Sequence, residues 1–176
     1  LMLLQHARAG TRFDADGAPV LLDRQDRGLW NRPMIAEGLA LLDKAMRHRQ
    51  PGPYQVQAAI AALHARAPTP EETDWAQIDL LYGTLEIMQP SPVVTLNRAV
   101  AVAKLRGPEA ALAMVGPLGD KLAGYFHYHG LRGALLMQLG RTREARDGFM
   151  TAIGLAGTAA EAAHIRSHLD GLRDAP

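Results

Sequence analysis

The chain has 176 residues, with 19 Lys+Arg against 18 Asp+Glu for a net charge near +1, so it can bury a substantial core but offers no broad basic surface to phosphates. Alanine (30) and leucine (25) far outnumber valine plus isoleucine (13) and aromatics (9), a balance that favours helix formers and predicts an all-α protein. Hydrophobic content of 48% excludes a disordered tail, no apolar run approaches a membrane span, and the absence of cysteine excludes disulfides, thiolate metal sites and a cysteine nucleophile.

Leu1-Met2-Leu3-Leu4-Gln5-His6-Ala7 reads as an apolar helix with no cap before it and no charged region of a secretion signal, as expected of a piece cut from a longer protein. Residues 10–30 form the longest irregular stretch, rich in turn formers, acids and arginines. Asn31 then caps a helix with Pro33 in its first turn and Ile35, Leu39, Leu42 and Met46 along one face, stopping near Gln50-Pro51-Gly52-Pro53. A third helix over 54–67 turns Val56, Ile60 and Leu63 inward. Asp74 with Gln77 makes a capping-box pattern for a fourth, whose stripe is Ile78, Leu81, Leu85 and Met88. Helices over 92–106, from Pro108, over 120–139, over 142–156 and over 158–173 complete the chain, the last opened by Thr158 and Glu161. The expected organisation is one helical domain over 1–176: opening helices and a polar loop to residue 50, hairpins over 53–156 and a capping helix over 158–173.

The fifth and sixth helices match the seventh and eighth at a shift of 33 to 34 residues: Leu105-Arg106-Gly107 against Leu139-Gly140, and Ala111 against Ala145. That period belongs to tetratricopeptide hairpins, and Gly133, Gly140, Ala145, Phe149 and Ala152 resemble their consensus. The expected fold is therefore all-α, with antiparallel helical hairpins stacked as a tetratricopeptide-like right-handed array. Its concave face would carry Asn97, Arg98, Val100, His127 and Met137, where only Asn97 resembles the peptide-carboxylate clamp of some co-chaperones.

Candidate chemistry is sparse. Glu161, His164 and His168 share one side of the last helix and could ligate a metal, but they flank the apolar stripe Ala162, Ile165, Leu169 and Leu172, which favours a solvated flank and no metal. Asp14-Ala15-Asp16-Gly17 lacks the further ligands of a calcium loop and reads as a turn, and neither Ser91 nor Ser167 has the frame of a nucleophile. In Asp23-Arg24-Gln25-Asp26-Arg27, followed by Trp30, local ion pairs on a solvated turn compete with an interface. Tryptophan and arginine are enriched at binding hot spots, so Asp23, Arg24, Asp26, Arg27 and Trp30 are the interface candidates.

Phe13-Asp14-Ala15-Asp16-Gly17, the run Leu21-Leu22-Asp23-Arg24-Gln25-Asp26-Arg27-Gly28-Leu29-Trp30, and Ile35-Ala36-Glu37-Gly38 resemble the C-terminal extension of a group of bacterial extracytoplasmic-function sigma factors. Gly52-Pro53-Tyr54-Gln55-Val56-Gln57, Thr73-Asp74-Trp75 and Ser91-Pro92-Val93-Val94-Thr95-Leu96-Asn97-Arg98-Ala99-Val100-Ala101 are similar to the same family, so the resemblance spans nearly the whole chain. It implies a cytoplasmic, non-enzymatic regulatory domain without cofactor or metal, tetratricopeptide-like, that modulates promoter-directed transcription. Its partners would be the sigma domains of the same full-length chain, RNA polymerase or a signalling protein. The sigma domains that read promoter DNA would lie before Leu1, and they are absent from this sequence, so the chain itself is expected not to bind DNA. A free-standing peptide-binding scaffold and a metal-dependent enzyme are the alternatives from other classes.

Overall fold

The computed structural model describes residues 1–15 and 17–172. Nine α-helices run through the described residues: α1 (Met2–His6), α2 (Arg32–Met46), α3 (Pro53–Arg66), α4 (Trp75–Met88), α5 (Pro92–Arg106), α6 (Pro108–Val115), α7 (Phe126–Gln138), α8 (Thr142–Leu155) and α9 (Ala159–Gly171). Among those residues no helix is long and apolar enough to cross a membrane. The chain packs as two compact units, one reaching from Leu1 to Val94 apart from Gly17–Pro19, the other from Thr95 onward.

The helix starts follow from their caps. The Asn31 side chain accepts the Met34 N–H at 3.0 Å, and Asp74 accepts that of Gln77 at 2.9 Å. At α9 the box is reciprocal: Thr158 Oγ1 accepts the Glu161 N–H at 3.1 Å, and the Glu161 carboxylate accepts the Thr158 N–H at 3.0 Å. The last helix ends at Gly171, and the expected extension to Arg173 lies outside the described residues. The seventh helix differs most from expectation. It begins at Phe126 instead of residue 120, because Tyr125 takes an extended conformation (φ −105°, ψ 109°) and the preceding residues form turns that bury Leu122.

In the N-terminal unit Leu4 and Ala7 of the α1 region, Trp30, Ile35 and Leu42 of α2, and Ala58, Ala62 and Ala65 of α3 form one buried cluster. Small residues line one face of α3, so its neighbours approach closely. Met46 and Met88, expected on the buried stripes of α2 and α4, are 43% and 41% exposed. Each sits in the last residue of its helix, where the packed face has run out.

In the C-terminal unit α7 and α8 pack along their length and α9 covers α8. Phe149, with no exposed surface, joins Leu136, Ala145, Ala152, Ile165 and Leu172 in the core. Gly133 makes this joint possible: a Cβ there would stand 2.7 Å from the Phe149 ring. The two helices touch almost backbone to backbone, since a Cβ on Gly148 would lie 3.3 Å from the Gly133 Cα.

Candidate functional site

The polar segment before Trp30 folds through a short 3-10 turn, Arg27–Leu29, whose start is capped by the Asp26 carboxylate accepting the Gly28 N–H at 2.8 Å. That turn sends Arg27 and Trp30 inward, to 5% and 3% exposure. The Arg27 guanidinium donates to the carbonyls of His64 (3.0 Å) and Ala67 (2.8 Å) and to Thr73 Oγ1 (3.1 Å). It thereby satisfies carbonyls at the C-terminus of α3, places a cation where the helix dipole favours one, and pins the turn that leads into α4. Its carbon Cζ lies 5.1 Å from the centre of the Trp30 ring, a cation–π contact. Trp30 in turn donates its indole N–H to Thr11 Oγ1 at 3.0 Å, Gln25 Oε1 lies 3.3 Å from the same hydroxyl, and Gln25 donates to the Val20 carbonyl at 3.0 Å. These contacts join the segment to α3 and to the turn before α4.

His64 sits beside this network, with its ring edge-on to Trp75 at 5.3 Å and its buried Nδ1 without a hydrogen-bond partner among the described residues. Burial first, then the positive guanidiniums of Arg27 and Arg8, push its pKa down to about 4. An unfolded histidine titrates near its ordinary 6.5, so between these values the unfolded chain holds the proton that the folded chain refuses. Stability should therefore fall by about 2–3 kcal/mol as pH drops from 6.5 to 4. Denaturant melts across that range check this: His64→Gln should remove most of the dependence, and an unchanged slope would contradict it.

Of the five interface candidates, Asp23, Arg24 and Asp26 remain on the surface, next to Leu29 at 72% exposure. Arg27 and Trp30 do not: both are interior groups of the N-terminal unit, which a partner could touch only by displacing the turn. Asp23 is itself engaged within the chain. The candidates for a concave face fall on α5 and α7. Asn97 and Val100 are exposed on α5, while Arg98 is half-buried and engaged. His127 lies in the first turn of α7, its ring against Tyr125 and Phe126, and Met137 packs at the far end of the same helix against the Phe149 core.

His164 and His168 meet edge-on at 5.1 Å, and His168 stacks on Phe149 at 5.5 Å. Among the described residues no three His, Asp or Glu side chains gather as metal ligands. The Asp14-Ala15-Asp16-Gly17 turn includes Asp16, which lies outside the described residues. The sequence alone does not single out Thr11, His64 and Thr73, which Arg27 and Trp30 engage, or Gln25, which shares the Thr11 hydroxyl. Thr73-Asp74-Trp75 stands out along the chain only as a motif, with nothing in its spacing to link it to Arg27.

Residues 1–46, which comprise α1, the polar segment and α2, match a family of unknown function, DUF6596. The whole chain is 70% identical over 176 residues to "Uncharacterized protein R00370" of Rhizobium meliloti (strain 1021) and spans 42% of that relative's length. No solved structure matches the chain.

Proposed function

We propose that this chain is the regulatory helical extension of an extracytoplasmic-function sigma factor, acting through protein contacts within a longer cytoplasmic protein. The observation that carries the reading is the ordered set of motifs running from Phe13 to Ala101, together with the hairpin repeat that follows them. Gly107 and Gly140, placed 33 residues apart by the repeat, both adopt a positive φ (+88° and +69°) between successive helices, as a tetratricopeptide-like array requires of its turns. The packing of Phe149 against Gly133, with Ala145 buried in the same core as Phe149, supports the same register. Partners of such a domain are the sigma domains of its own chain, core polymerase or a signalling protein, and it needs no cofactor and performs no catalysis. Asp23, Arg24 and Asp26 with Leu29 are the surface part of the polar segment that such contacts would use.

The net charge of +1 supplies little of the electrostatic term that dominates nonspecific DNA affinity. The isolated chain should therefore bind promoter DNA no better than random DNA when both affinities are measured at physiological salt. A promoter-specific complex of submicromolar affinity would overturn this part of the reading.

A further inference from the structure

Arg8 and Arg12, in the turns that follow α1, converge on one neutral oxygen. Arg8 Nη2 donates to Gln5 Oε1 at 2.8 Å, and Arg12 Nη2 donates to the same atom at 3.1 Å and to the Gln5 backbone carbonyl at 2.8 Å. The contact with the backbone has a structural reason, since it satisfies a carbonyl in the last turn of α1. The meeting of two guanidiniums on an amide has none: like charges drawn together raise the energy of the fold, and an amide oxygen carries no charge to offset them. Among the described residues no carboxylate forms an ion pair with either arginine. The Arg12 Nε–H is buried and has no partner among those residues, a donor that an anion would satisfy. Burial and then the Arg12 charge push the Arg8 pKa down, while burial, then Arg27 and Arg8, hold that of His64 at about 4, so positive potential extends from Arg12 toward α3.

We propose that Arg8 and Arg12 hold a phosphate group, free or carried as the monoester of a small molecule, at the point where their guanidiniums meet. This site goes beyond the sigma-factor reading and does not depend on it. Charge selects the class: near neutral pH a phosphate monoester carries about two negative charges to set against the two guanidiniums, whereas a carboxylate would leave one cation uncompensated. Geometry agrees, because an arginine fork pairs with phosphate oxygens through two N–H groups at once, and each arginine keeps N–H groups that Gln5 does not take. Both side chains are half-buried, so an anion reaches them from solvent and gains from partial desolvation of the pair. The Gln5 carboxamide, turned about its last bond, would offer its NH2 group to the anion in place of its oxygen. A bound phosphate would thus tie α1 to the turn that carries Arg12 and make the stability of the N-terminal unit respond to a ligand.

The test is thermal melting and calorimetric titration of the intact protein with inorganic phosphate, glycerol phosphate and acetate, all at one ionic strength held with sodium chloride. Inorganic phosphate or the monoester at about 10 mM should raise the melting midpoint by roughly 3–6 °C, the tighter binder of the two identifying the source, and acetate should not raise it. Gln5→Glu puts a carboxylate of the chain itself between the two guanidiniums, so it should raise the midpoint without ligand and abolish the response to phosphate. Arg12→Gln gives a second reading, in which the affinity for phosphate should fall at least about tenfold. No shift with either phosphate compound at matched ionic strength, an equal shift with acetate, or an undiminished response in either folded variant would overturn the proposal.

Discussion

Arg27→Ala should destabilise the chain by about 3–5 kcal/mol, because three acceptors at the α3–α4 turn lose a charged donor they share and remain shielded from water. Its hydrogen-bond acceptors are two backbone carbonyls and the Thr73 hydroxyl, and the Glu71 charge adds electrostatic attraction. The cation–π contact with Trp30 goes with it. Arg27→Lys should recover little of this, since an ammonium on a flexible stem cannot reproduce a planar fork that reaches both the end of α3 and Thr73. Denaturant melts of the two variants decide the matter. Arg24→Ala, on the surface of the same segment, should leave the midpoint nearly unchanged. An Arg27→Ala protein that melts like the wild type would mean that this guanidinium serves an outside partner after all.

Phe149→Ala should cost a similar amount, about 3–5 kcal/mol, by emptying the centre of the C-terminal core. The ring has no exposed surface, presses on the backbone of Gly133 and stacks on His168, so removing it strips contacts from α7 and α9 together. Neither side can collapse into the space easily, because α7 and α8 already touch at Gly133 and Gly148. Phe149→Leu keeps most of the volume and should cost under about 1.5 kcal/mol. Equal midpoints for wild type and Phe149→Ala would place the ring outside the core and void the repeat register built on it.

The helical elements were legible because their signals are local. Asn31, Asp74 and Thr158 each cap the helix that follows within three residues, and the apolar stripes of Ile35 and Leu42 or of Ile78 and Leu85 recur within a turn or two. The start of α7 was not legible, since Lys121-Leu122-Ala123 suits a helix and only the burial of Leu122 in a turn decides otherwise. The role of Arg27 was hidden for a related reason. Its acceptors lie 37, 40 and 46 residues away, so no spacing along the chain could separate a buried anchor from a surface interface. Helical period likewise places Met137 on α7 without revealing that it packs against the Phe149 core.

The central claim, that this chain regulates a sigma factor through protein contacts, is tested most directly by reconstituted transcription. Bacterial core polymerase is combined with the full-length protein, or with the same protein ending before Leu1, and transcripts are mapped from genomic promoter fragments. The account predicts transcripts from a defined promoter set that core polymerase alone does not make, with a yield that changes several-fold when residues 1–176 are removed. No promoter-directed transcript from the full-length protein, or identical yields with and without these residues, would contradict it.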